Sequence, residues 1–214
     1  MHDSGIHSQK ESSGILPFFE AVKFHGHTCP GLTMGYRAAE AAIRELATER
    51  DVDEELVALV ENDACGVDAI QVVTGCTIGK GNLIYKDHGK QVYTFINRNT
   101  GDAVRISLKA SFSVEEQDPA LAKLRTKVMS GKATKKEADE FHRRMEGVSQ
   151  AMLAAPIEKM FEVRHVKAKI PEKACIFRSV KCTKCGEMVA EPRARVQDSG
   201  FVCIPCFEEY TRGW

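Results

Sequence analysis

No apolar run in the 214-residue sequence approaches the roughly 20 residues needed to span a bilayer, so no membrane-embedded role is expected. Charge of one sign is not in excess either: 30 Lys plus Arg stand against 30 Asp plus Glu. A nucleic-acid binder usually shows a basic surplus, so nucleic acid is not an expected partner. Zero net charge also does little to oppose self-association. The first 13 residues, MHDSGIHSQKESS, lack both a basic start and an apolar stretch. They read as a polar, mobile tail without a secretory signal. Without a signal, the eight cysteines fit a reducing cytoplasm. They then point to metal ligation or thiol chemistry, not to a disulfide framework.

What is present is enough apolar material, 43%, for a real core. Pro17 suits the first turn of a short helix. Pro30 opens a second, with Leu32, Tyr36, Ala39, Ile43 and Leu46 at spacings of three and four. Residues 55–61 read as a strand, and Asp68 to Thr74 as a short helix ended by Gly75. Leu83 to Tyr85 is a further strand. Gln91 to Asn97 and Ala103 to Lys109 form a hairpin through RNTGD. Charged helical segments follow at Pro119–Met129 and Lys135–Ala155, the second opened by a capping box of Thr134 and Glu137. Residues 161–171 alternate like a strand. The pattern predicts an α+β fold: a small antiparallel sheet packed with helices, over residues 14–170, followed by a cysteine-rich module over 171–214.

That module carries CTKC and CIPC, which place Cys182 and Cys185, then Cys203 and Cys206, with 17 residues between the pairs. Each CxxC can wrap one metal from two sides, giving tetrahedral thiolate coordination. A closed four-thiolate site holds zinc for structure, and supplies folding energy that so small a module lacks. Glu208, Glu209 and Tyr210 suggest a short helix after the last ligand, in a treble-clef-like pattern. From Cys175 to Trp214 there are six Lys or Arg against five Asp or Glu, so no basic footprint supports nucleic-acid binding. Cys175 reads as a buried small hydrophobe.

The segment FHGHTCPGL sets His25, His27 and Cys29 at alternate positions. With Pro30 opening a helix, Cys29 falls at its N-cap, where free N–H groups and the helix dipole favour a thiolate. Imidazole and thiolate together suit zinc or another borderline-soft ion. Cys65, with Asp63 beside it, is placed to complete the set, or water or substrate holds an open position. Which of His25 and His27 faces the site stays open at this level. A competing chemistry makes Cys29 a nucleophile with His25 or His27 as base. Cys29, His27 and Cys65 are thus the candidates for any catalytic role. The glycine-rich TGCTIGKGN adds Thr74, Cys76, Lys80 and Asn82, which with Gln71 and Asp63 would line a small-molecule pocket.

FHGHTCPGLTMGYRAA, NDACGVDAIQVVTGCTIGKGNL and DHGKQVYTFINRNTG resemble the E-subunit family of formylmethanofuran dehydrogenase over roughly residues 15–165. The tail resembles the treble-clef zinc finger that some members carry after the core. The resemblance implies an α+β core, commonly a homodimer. It implies a metal-associated site around His25, Gly26, His27, Cys29, Pro30 and Gly31, with Asp63, Ala64, Cys65 and the Thr74–Asn82 loop. It further implies an accessory role beside the subunits of a molybdenum or tungsten enzyme, or in one-carbon metabolism, without assigning turnover to this chain. The rival reading is a non-catalytic metal or cofactor carrier whose zinc finger docks a protein partner.

Overall fold

The computed structural model describes residues 14–213, and the expected tail at 1–13 lies outside them. The chain forms two compact units, one ending at Lys173 and the other beginning at Ala174.

In the first unit, α1 (Phe18–His25) follows Pro17 and is stopped by Gly26, whose φ of 95° turns the chain out of the helix. The second helix, α2 (Pro30–Glu45), has Pro30 at its first position and Cys29 as its N-cap. Then come β1 (Leu56–Val60), α3 (Gly66–Thr74), β2 (Leu83–Tyr85), β3 (Val92–Asn97) and β4 (Ala103–Leu108). A helical stretch follows: α4 (Val114–Gln117), α5 (Ala120–Met129), α6 (Lys135–Ala154) and α7 (Ile157–Met160), before the last strand, β5 (Phe161–Val166). Thr134 and Glu137 make the capping box that opens α6.

The sheet order is β2-β1-β3-β4-β5. The α+β class holds, with one correction to the antiparallel expectation: β1 and β2 run parallel. The physical reason is α3, which occupies the connection and carries the chain back across the sheet, as a parallel pair requires. Every other pairing is antiparallel. Cross-strand rows Ala58–Phe95–Val104 and Val60–Tyr93–Ile106 form one face. These side chains are buried in a core shared with Ala38, Ala39 and Ala42 of α2, Ile70 and Val73 of α3, and Phe141 and Met152 of α6. Complete burial of a side chain such as Phe95 or Ile106 contributes about 2 kcal/mol. The opposite row, Val57–Ile96–Ala103, forms a smaller cluster with Leu59, Ile84, Val166 and Ala168.

Helices α2 and α3 touch backbone to backbone. A Cβ on Gly35 would lie 2.0 Å from the Gly66 carbonyl oxygen. One on Gly66 would lie 2.7 Å from the Tyr93 hydroxyl. No side chain fits at either place, so glycine sets the distance between the two helices.

The second unit holds two hairpins, β6 (Ser179–Lys181) with β7 (Met188–Ala190), and β8 (Arg195–Gln197) with β9 (Gly200–Val202). The helix expected after Cys206 is absent: one 3-10 turn spans Ile204–Cys206, and residues 207–213 carry no helix. The Glu208 amide donates to the Gln197 side chain (3.2 Å), and the Glu208 carboxylate pairs with Lys184 (2.8 Å). Those groups are therefore spent on the hairpin and the first knuckle. Cys175, expected to be buried, is exposed.

Gly35→Ala should destabilise the chain by about 3 kcal/mol, because backbone and not a flexible side chain blocks the new methyl. Gly147→Ala, in open space on α6, should stabilise it by about 0.5–1 kcal/mol. Urea midpoints of the two variants against the parent, followed by far-ultraviolet circular dichroism, check both signs.

Candidate metal centre

The close approach of α2 and α3 brings two helix N-termini together, with a cysteine at each. Cys29 caps α2, and its Sγ accepts from the Leu32 amide (3.3 Å). Cys65 caps α3. Its side chain packs against Gly31, where an added Cβ would stand 3.3 Å from the Cys65 Cβ. The last residue of α1, His25, points its Nε2 at the Cys29 Sγ from 3.9 Å. The donor atoms of His25, Cys29 and Cys65 all lie within 4.8 Å of one another.

This donor set suits a zinc-like ion. Bond lengths of ~2.3 Å to sulfur and ~2.0 Å to nitrogen give a tetrahedral edge of ~3.5 Å between S and N ligands. The 3.9 Å between Cys29 and His25 is wider by a few tenths of an ångström, which a small side-chain rotation closes. On its far side, His25 bonds through Nδ1 to Asp68 (2.7 Å). Metal-ligating histidines usually have such a carboxylate, which fixes the tautomer and raises the basicity of the ligating nitrogen. Burial pushes the Cys29 thiol up, the Leu32 amide draws it down, and the neighbouring Cys65 pushes it up again, for a net rise. An ion in the cluster would take the place of the thiol protons. Three ligands leave one position open, and a cavity of about 440 Å³ adjoins, lined among others by His25, Asp63, Cys65, Asp68 and Gln71.

Other expected site residues fall differently. His27 is exposed and outside the cluster of donor atoms, its ring tilted over that of His25 with centroids 4.5 Å apart. Asp63 and Gln71 line the cavity. Thr74, Cys76, Lys80 and Asn82 do not. Thr74, Cys76 and Asn82 have no exposed surface, and burial pushes the Cys76 thiol up to about 12. Asn82 donates to Asp51 (2.7 Å) and to the Leu56 carbonyl (2.9 Å), while Lys80 pairs with Asp51. The glycine-rich loop thus builds a buried polar network around Asp51, because buried polar groups must find partners. Asp68 is a site residue that sequence reasoning missed. The available signal was its place three residues after Cys65, on the same face of a helix.

In the second unit the donor sulfurs of Cys182, Cys185, Cys203 and Cys206 lie within 4.8 Å of one another. Cys185 and Cys203 are 3.8 Å apart, close to the ~3.8 Å edge of a four-thiolate zinc site. Amides of Cys185 and Cys203 hold the Cys182 thiol down at about 6. Crowding by Cys203 and Cys185 pushes Cys206 up to about 12, a repulsion that a bound cation would relieve.

Asp68→Asn should weaken metal retention at the front cluster by about ten- to hundredfold and leave the four-cysteine cluster untouched. Competition with a chelator, followed as two separate metal losses, measures it. A second expectation concerns acid. Burial pushes the Asp51 carboxyl up, but Lys80 and the Leu56 amide outweigh it and hold it below its ordinary 3.8. Its contribution is therefore complete above the unfolded value and lost as pH falls through the lower folded one. Asp51→Asn should give a shallower decline in urea midpoint below about pH 4 than the parent shows.

Comparison with known proteins agrees with this layout. The family model described as FmdE, molybdenum formylmethanofuran dehydrogenase operon, matches residues 24–162. The model of the prokaryotic dksA/traR C4-type zinc finger matches residues 176–212. A probable S-adenosyl-L-methionine-binding protein of Archaeoglobus fulgidus is 34% identical over 199 residues, covering 89% of this chain. The match takes in 52% of that relative, so the chain spans about half its length. The crystal structure of an FmdE-like protein from Syntrophus aciditrophicus, named after tungsten formylmethanofuran dehydrogenase, superposes with a TM-score of 0.57 at 26% identity. That superposition covers 88% of this chain and 91% of the other. With His25, Cys29, Cys65 and most of the sheet inside the matched segment, the chain belongs to the FmdE family and carries a C4-type zinc finger after the family domain.

Proposed function

We propose that the chain is a metal-binding accessory protein in which His25, Cys29 and Cys65 hold a second ion, zinc or a close equivalent, beside a small-molecule pocket. The observation that carries this reading is the convergence of three donor atoms within 4.8 Å, one of them on a histidine braced by Asp68, with a cavity against the remaining side. An ion so placed would act as a Lewis acid toward a group in the pocket. The protein's own part is to fix the ligands on two helix N-termini, to hold the His25 proton on Nδ1 toward Asp68, and to shape the pocket with Asp63 and Gln71. The molybdenum operon for which the family is named, and the tungsten enzyme for which the Syntrophus protein is named, support a context near such enzymes. Their subunits would be its partners, together with a second copy of this chain. The four-cysteine cluster would hold structural zinc.

A carrier without turnover is the second reading, favoured by the incomplete ligation, because an ion with an open position exchanges more readily than one in a closed four-thiolate site. The name of the archaeal relative makes S-adenosyl-L-methionine a ligand to titrate for either reading.

Metal content separates these ideas. Protein purified without added metal should hold two equivalents per chain. Cys29→Ala should hold one, and Cys182→Ala should lose the other. Two equivalents in Cys29→Ala would end the front-site reading. Loss of the front ion alone to a mild chelator, with no substrate converted, would favour the carrier.

A further inference from the structure

The cavity beside the metal cluster is half of a longer cleft. A second cavity of about 530 Å³ is lined by Leu16, Glu20, Lys23, Phe24, Arg50, Gln71, Val72 and Thr77. Gln71 borders both. Its carboxamide makes no side-chain hydrogen bond among the described residues, so its donor and acceptor remain for whatever crosses between the two. Along α3 the cleft-facing residues come in a line: Cys65, Asp68, Gln71 and Val72, spaced as one helix face. From Cys65 to Val72 the helix rises about 10 Å, so the line is long for a metal-bound water and suits an extended molecule.

The two ends differ in charge. The near end has the metal ligands with Asp63 and Asp68, and no lysine or arginine lines it. The far end has Lys23 and Arg50 against the single carboxylate of Glu20. Arg50 spends its Nε on the Val72 carbonyl (2.9 Å), which fixes the guanidinium on the rim of the cavity. Its terminal nitrogens enter no ion pair among the described residues. Lys23 stands 3.9 Å from Glu20 with its side chain 68% exposed, a contact of little strength. Between the ends, Phe24 is 60% exposed and Ile78 69%, apolar surface left open along the cleft.

Resting on the metal reading above, we propose that the cleft takes an elongated small molecule with a thiol or amine donor at one end, an apolar middle, and a carboxylate or phosphate at the other. The donor fills the open position beside His25, Cys29 and Cys65. The middle lies along α3 across Gln71, under Phe24 and Ile78. The anion meets Arg50 and Lys23. Asp63 and Asp68 repel the anionic end from the metal, so the molecule enters in one orientation.

The test uses zinc-loaded full-length protein, with zinc counted in the same sample, and calorimetric titration of two probes: ω-mercapto-octanoate and the ω-mercapto alcohol of equal length. The acid should bind about five- to tenfold more tightly than the alcohol. Arg50→Gln should abolish that preference and leave the affinity of the alcohol unchanged. Equal affinities in the parent, a preference that survives in the Arg50→Gln, Lys23→Gln double variant, or no thiol binding at two zinc per chain would each overturn the cleft. A single zinc per chain would instead overturn the metal reading beneath it, and the proposal with it.

Discussion

The backbone contact of Gly35 with Gly66 is the constraint on which the front cluster depends. A methyl group at Gly35 would overlap the Gly66 carbonyl, so the two helices can reach this separation only without side chains. The separation then decides where Cys65 stands. Cys65 directly precedes Gly66, and Cys29 directly precedes the first residue of α2. Helix packing and metal geometry are therefore one problem with one solution. A core that tolerated a wider gap would still fold, but its thiols would part.

The order of the chain follows from the same arrangement. Strand β1 ends at Val60 and delivers the Glu61–Cys65 loop to the start of α3. Glu61 is fixed by Arg105 of β4 and by His88 (3.1 Å), and Asn62 donates to the Lys90 carbonyl (2.7 Å). The loop that carries Cys65 is thus held from the sheet side, while His25 arrives from the end of α1, where Gly26 turns the chain. Rigid elements on three sides supply the donors, which favours a preorganised site over one gathered by a mobile loop.

Much of this was legible in the sequence, and the parts that were not share a cause. Helices α2 and α6 declare themselves through apolar spacing, Pro30 and the Thr134–Glu137 box, because those signals are local. The paired CxxC motifs are equally local and specific. The meeting of Cys29 with Cys65 is not, since it rests on Gly35, a glycine inside a helix whose partner lies on another helix. Parallel pairing of β1 with β2 is likewise settled by where α3 lands. Thr74, Cys76, Lys80 and Asn82 look like site chemistry because polar residues among glycines often are. Here the same pattern answers the demand of a buried carboxylate for partners, and only the position of Asp51, more than twenty residues earlier, reveals it. His25 and His27 alternate in sequence, yet the turn at Gly26 sends one inward to Asp68 and leaves the other outside.

That buried carboxylate ties together segments that the topology keeps apart. Asp51 accepts from the Leu56 amide at the entry to β1 (2.9 Å) and from Asn82 just before β2, while its own amide donates to the Thr74 carbonyl at the end of α3 (2.7 Å). Three connections thus share one fastening, and none can fray without loosening the others. Local opening of this region is then an all-or-none event, a single cooperative unit that takes the loop, the strand entry and the last turn of the cysteine-bearing helix together. The metal cluster sits on a helix whose two ends are secured independently, by glycine contact at one and by a shared carboxylate network at the other.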